Sequence, residues 1–482
     1  MIRKLYKLTA AAALAVMCAA PWGAGGAARA QQISVGDTVH VSGARPTTDH
    51  HEVVVAADPA RPERMIAASM AFSAEQKKGY TVVYASRDGG RSWAQTLETL
   101  STSDLGADPW CAYGPDGTAY YSVCLCATAE APCLLYVYSS KDGGTTWGKP
   151  AIAPASEYSA RPYIAVDDTG GRYAGRAYVF LQIFRNEALG GVRRATDVAL
   201  YRSRDGGAGF DPPVRLSGLD TRSIVWPGNA AVLPDGTVVA PVVEARRRPP
   251  EGDRPGPIWV DNKEPNAKLL LVKSEDGGDS LVNASTVSDA YIFYPVSTVS
   301  VMPSLAVDRL SEAFKGRVYV AWADTRSGRT EILFAHSPDG GKTWAKPITV
   351  NDDRPFAPPA RGPDHFMPTL AVNREGVVGV MWYDRRDNTD NFGWHTRFAA
   401  SLDGGETFLP SVRVSGGGQS VTKGEWMLFG LATQPEAASA GGLMLKFYAD
   451  GSQFNGGHTA GMTTGRNGSF HPVWVDNRTG KR

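Results

Sequence analysis

One eight-residue phrase, S-x-D-G-G-x-x followed by an aromatic residue or Leu, occurs six times: Ser86 to Trp93, Ser140 to Trp147, Ser203 to Phe210, Ser274 to Leu281, Ser337 to Trp344 and Ser401 to Phe408. Successive aspartates are 54, 63, 71, 63 and 64 residues apart. Self-similarity at such a period specifies a repeat architecture. Within each copy the Asp carboxylate is suited to accept backbone N–H groups a few positions on, and the glycines supply positive φ without a Cβ clash. Each copy follows a strand-like run such as Tyr80 to Ala85, Leu134 to Tyr138, Lys268 to Lys273 or Glu331 to His336. The phrase therefore reads as a hairpin turn, with its terminal aromatic residue anchoring the turn in the core.

A second pattern runs out of phase with the first. Arg161 to Asp167, Met302 to Asp308 and Met367 to Asn373 are versions of one short strand, each followed by a turn and a second strand: Arg176 to Leu181, Arg317 to Trp322 and Val377 to Trp382. Weaker versions begin at Glu52, Asp108 and Trp226. Each repeat is thus two strands, a third strand, the octapeptide and a fourth strand, the grammar of a β-propeller blade. The tail, Thr459 to Met462 and Phe470 to Arg478, repeats the first two strands only. Seven blades are expected, with the segment Ile33 to Val41 supplying the missing outer strand and removing the last exposed sheet edge; six blades are the alternative.

The six octapeptides resemble Asp-boxes, or BNR repeats, the hairpin signature of the sialidase superfamily and other propeller families. The resemblance covers nearly the whole chain after residue 30 and implies an all-β propeller with these turns on the face opposite the active site. Function is less constrained, because one fold hosts many activities. Sialidases begin their first blade with an R-I-P motif and use a Tyr–Glu pair and an Asp. Here His51, Glu52, Val53 and Val54 stand where R-I-P would be, and Arg161-Pro162 comes two blades later. No sialidase catalytic residue can be carried over to a numbered position.

The basic start of the chain, the apolar run Leu8 to Ala20 and the small residues Ala28 to Ala30 read as a signal peptide, residues 1–30, cleaved after Ala30. The run is too short to span a membrane. A single propeller domain over residues 31–482, periplasmic or secreted and monomeric, is expected. Removing the leader takes away Arg3, Lys4, Lys7 and Arg29 but no acid, leaving 46 basic against 49 acidic residues, with no basic stripe for nucleic acid. In an exported chain Cys111, Cys124, Cys126 and Cys133 are expected to form two disulfides, of undetermined pairing.

Two long insertions, 244–266 and 416–457, fall by strand order on the face away from the octapeptides, where a propeller pocket opens. The starts of the first strands gather there. His51 with Asp49, His365 with Asp364, and His458 come from blades that would be ring neighbours, so they are candidate catalytic residues for proton transfer. Arg161 and Arg361 are candidates for binding an anionic sugar, and Trp110, Tyr163, Trp226 and Trp426 for stacking against it. No cofactor or metal is called for. The recurring W-x-D-x-R motif, as at Trp322, Asp324 and Arg326, reads instead as a brace for the turn after the second strand.

The function expected is that of a carbohydrate-active propeller, a sialidase-like glycoside hydrolase acting on an anionic glycan or oligosaccharide. A hydrolase of this kind needs paired acids or an activated Tyr, and Asp49, Glu52 and Asp364 are available. One alternative is a polysaccharide lyase that uses His and Tyr; another is a non-catalytic glycan- or protein-binding propeller.

Overall fold

A computed structural model of the protein describes residues 32–45, 48–73, 78–100, 106–126, 133–153, 158–185, 195–219, 223–245, 264–292, 302–358, 362–388, 394–416, 457 and 459–476. The expected leader, Arg361, Trp426 and His458 lie outside them. Among the described residues there is no helix, and none long and apolar enough to cross a membrane.

The chain is an all-β propeller. Strands β1 (Asp49–Ala57), β2 (Met65–Ser73), β3 (Lys78–Ser86) and β4 (Ala94–Leu100) form an antiparallel sheet in chain order. The same order recurs in β5 (Gly106–Tyr113) to β8 (Ala151–Ala153), with β6 (Ala119–Cys126) and β7 (Cys133–Ser140) between them, and in β9 (Tyr158–Val166), β10 (Ala177–Arg185), β11 (Ala195–Ser203) and β12 (Val214–Arg215). In the fourth sheet β13 (Ile224–Pro227) and β14 (Ala231–Val232) share β15 (Val238–Ala245), followed by β16 (Ala267–Ser274) and β17 (Val282–Ala290). The fifth sheet is β18 (Ser304–Val307), β19 (Val318–Asp324), β20 (Glu331–Ser337) and β21 (Ile348–Thr349); the sixth is β22 (His365–Val372), β23 (Val378–Asp384), β24 (His395–Ser401) and β25 (Val412–Arg413).

Six complete blades match the alternative count rather than the favoured seven. Between the sixth and the first stands a two-stranded sheet, β26 (Gly461–Thr464) with β27 (Phe470–Val473). First strands touch in a closed cycle, β1 to β5, β9, β14, β18, β22, β26 and back to β1, so the tail fills a place in the ring with half a blade. Residues 32–40 carry no assigned strand. Ile33 and Val35 nevertheless pack on the cluster that contains Met462, Phe470 and Trp474.

Burial on both faces explains the near-continuous apolar runs of the middle strands. Every residue of β19 and of β23 is buried, because each sheet is covered on both sides by its neighbours. Trp322 and Trp382 fill the spaces on either side of the fifth sheet.

The octapeptides join the third to the fourth strand, and each Ser closes its third strand. In the second copy Ser140 Oγ donates to Asp142 Oδ1 at 2.7 Å and accepts the Gly144 N–H at 2.8 Å; Asp142 Oδ1 also accepts the N–H groups of Thr145 and Thr146 at 3.0 and 2.9 Å. Gly143 and Gly144 have φ of 75° and 93°, which glycine adopts freely. Trp147 is half-buried and donates its indole N–H to Thr96 of the preceding sheet, as Trp344 does to Ser285 of the fourth, so these two turns also fasten neighbouring sheets.

The expected pair of disulfides is not formed. Cys111 and Cys124 are buried free thiols: Cys111 faces the core shared with the first sheet and Cys124 the core shared with the third, so the sheet itself separates them. The backbone register sets Cys126 opposite Cys133.

Candidate active site

The first strands share a defect on which the site is built. Glu52, Asp108, Arg161 and Met367 have left-handed backbone conformations, φ 54°, 56°, 59° and 51°, and at each the pairing with the second strand slips. Such bulges re-aim a side chain, and each non-glycine residue held this way costs of order ~1 kcal/mol. The sequence signal is a proline inside an apparent strand, Pro109, Pro162 and Pro368 directly after three of the four positions, since a strand proline belongs at a bulge or an edge. In three consecutive sheets the re-aimed residue is charged: Glu52, Asp108 and Arg161.

These groups form one electrostatic unit. Asp108 Oδ2 accepts the Arg161 backbone N–H at 3.1 Å. Arg161 donates through Nη1 to Gln182, whose Nε2 donates to the Val225 carbonyl at 2.6 Å. The Arg161 Nε is buried with no hydrogen-bond partner among the described residues. Trp110 and Tyr163 meet edge to face, ring centres 4.7 Å apart. Burial pushes the Tyr163 hydroxyl well up; Arg161 opposes that shift, and Asp108 and Glu52 reinforce it. The phenol therefore stays protonated beside two carboxylates and a guanidinium.

Sequence reasoning joined Arg161, Tyr163 and Trp110, and the structure brings these three together. Trp226 belongs elsewhere, 4% exposed in the core between the fourth and fifth sheets with Met302 and Trp322. Gln182 was missed, because a polar residue in the middle of β10 carries no motif. Glu52 stood among the acids open to catalysis, whereas Asp108 was visible only as the start of a strand.

The histidines do not match as the repeat alignment had them. The bulges place Glu52 level with Met367, so His50, not His51, corresponds to His365, and Asp49 to Asp364. His50 Nδ1 lies 2.8 Å from Ser69 Oγ within the first sheet; burial first, then His51, Arg45 and His40, lowers its pKa to about 3. His51 is buried beside it. His365, with no exposed surface, lies 3.0 Å from Asp353 Oδ1 and 3.1 Å from Asp384 Oδ2. Asp364 accepts the Thr330 N–H at 2.9 Å. His50 and His365 thus have different neighbours, each within its own part of the ring.

Asp353, His365 and Asp384 bring ligand-type atoms within 4.8 Å of one another, yet they do not fit a metal ion. Asp384 already accepts from the Trp382 indole at 2.8 Å and from Arg386, and Asp353 from Asn351 and Arg329. Their lone pairs are committed, and two guanidinium groups repel a cation. The same contacts show the W-x-D-x-R motif acting as a brace: Trp322 and Arg326 close on Asp324 as Trp382 and Arg386 close on Asp384.

No family model and no curated protein matches the chain. Its structure is similar to that of a Hadza microbial sialidase (TM-score 0.44, 15% identity, covering 71% of this chain and 67% of that one). It is also similar to the α-L-arabinofuranosidase Arb93A of Fusarium graminearum with an iminosugar inhibitor (0.46, 14%, 70% and 88%) and to a leech intramolecular trans-sialidase with 2,7-anhydro-Neu5Ac (0.43, 10%, 73% and 76%). Likeness at this level says nothing of substrate or mechanism.

Proposed function

We propose that the protein is an exported, monomeric, carbohydrate-active propeller, a glycoside hydrolase acting on an anionic glycan at the Glu52–Asp108–Arg161 cluster. The observation that supports this most is the repetition of one strained bulge in three adjacent sheets, with a charged residue at each. Strain at a few kcal/mol in sum persists where the surrounding structure imposes it, and such positions cluster at functional sites. Two carboxyl groups are the minimum for glycoside hydrolysis, one as acid and the other as base or nucleophile. Arg161, with an unused Nε donor, is suited to a sugar carboxylate, and the Trp110–Tyr163 pair offers an apolar wall for a ring.

The histidine-based lyase is the weaker reading. His50 has lost its proton far below neutral pH, and His365 is enclosed by ion pairs. A binding propeller has no need of two carboxyl groups that act on the same tyrosine, as Asp108 and Glu52 do on Tyr163. The test is turnover of acidic oligosaccharides by the wild type and by Glu52→Gln. A hydrolase releases reducing ends, and the variant should fall by a factor of about 10² or more. Unsaturated uronate products would establish a lyase instead, and saturable binding without products a binding protein.

A further inference from the structure

We propose that His365 is the charged centre of a pH-sensitive clasp that fastens the sixth sheet to the fifth, on the face away from the octapeptide turns. The ring is completely buried between two carboxylates from different sheets: Asp353 follows β21 of the fifth, and Asp384 ends β23 of the sixth. Each ring nitrogen faces one carboxylate, Nε2 that of Asp353 and Nδ1 that of Asp384. His365 also donates its backbone N–H to the Thr330 carbonyl at 3.0 Å, and Asp364 accepts from Thr330 in return.

The surrounding charges make the proton decisive. From the fifth sheet, Arg329 pairs with Glu331 at 3.0 Å and with Asp353. From the sixth, Arg386 reaches Asp384 at 2.8 Å, Asp352 at 2.6 Å and Asp353 at 3.4 Å. His395 faces Asp384 across the strand pair, with Asp387 3.8 Å from its ring, and Arg397 acts on Asp352 and Asp384 from β24. Within the ion-paired set, protonated His365 joins Arg329 and Arg386 against the four carboxylates of Asp352, Asp353, Asp384 and Glu331; without the proton, the set keeps only its two arginines. Removing one charge from a buried, paired set leaves its partner uncompensated, which is the costly way to break such a pair.

Burial disfavours the charged ring, but Asp353 and Asp384 outweigh it and hold the His365 pKa above its ordinary value. A raised folded-state pKa contributes stability in full below the unfolded value of about 6.5 and loses it as pH rises through the folded value. His50, His336 and His471 are all lowered by burial, the first and last to about 3 and 4. Lowered values give a linkage of the opposite sign that acts below the unfolded value, outside the window of His365.

The experiment combines thermal unfolding of the full chain across neutral to mildly alkaline pH with NMR titration of histidine-labelled wild type. Wild-type Tm should fall by roughly 2–4 °C as pH rises through the clasp's transition. That fall should move to lower pH in Asp353→Asn and vanish in His365→Gln. The His365 ring signal should titrate with a midpoint above about 6.5, a readout that needs no variant to fold. A midpoint at or below that value, or the same pH dependence of Tm in both variants, would overturn the proposal.

Discussion

At the scale of the residue, the charged bulge positions carry the functional reading. Asp108→Asn keeps the shape of the side chain and can still accept the Arg161 N–H through its amide oxygen, so the fold should survive while turnover drops by about 10² or more; unchanged turnover in steady-state assays would remove Asp108 from the chemistry. Arg161→Lys should raise KM for an acidic oligosaccharide while leaving a neutral one unaffected, because a lysine cannot reproduce the guanidinium fork. The site was half legible in the sequence. Arg161, Trp110 and Tyr163 stood out as residue types that suit a glycan, but the bond of Gln182 to Val225 and the pairing of Asp108 with Arg161 join residues 43 and 53 apart in sequence, which no local pattern encodes. The match of His51 with His365 slipped by one position because the first strand lacks the proline that follows the bulge in the sixth, Val53 standing after Glu52 where Pro368 stands after Met367.

At the scale of the element, the octapeptides are self-contained and were readable in full apart from the role of their serine. Their acids also predict an acid limit. Asp142, though its slight burial opposes ionisation, is held well below the usual carboxylate range by hydrogen bonds from Thr146, Ser140 and Thr145, and Asp339 is lowered to about 2 by the matching contacts. Asp88, Asp205, Asp276 and Asp403 are lowered as well. Depressed folded-state values contribute stability above the unfolded pKa of about 4, and that stability is lost as pH falls from there toward about 2. Asp142→Ala should cost about 0.5–1.5 kcal/mol at neutral pH by removing the hydrogen bonds to the exposed Thr145 and Thr146 N–H groups, and chemical denaturation of the variant should show a weaker dependence on acid. A variant as stable as the wild type would mean that water satisfies those groups equally well.

At the scale of the molecule, the ring was legible because a period and a strand order survive divergence of individual residues, whereas closure depends on contacts that no repeat encodes. The tail was read correctly as two strands of a blade, β26 and β27; the expected outer strand from the N-terminus is not formed among the described residues, where Ile33 and Val35 only pack against the cluster that includes Phe470 and Met462. Val35→Asp should therefore lower Tm by a few degrees, and an unchanged Tm would show that this contact does not help to hold the ring. The proposed ligand site lies at the bulges of three adjacent first strands. Hydrogen exchange with and without a saturating acidic oligosaccharide tests it most directly: protection should appear in Asp49–Ala57, Gly106–Tyr113 and Tyr158–Val166, while protection confined to the octapeptide turns would contradict it.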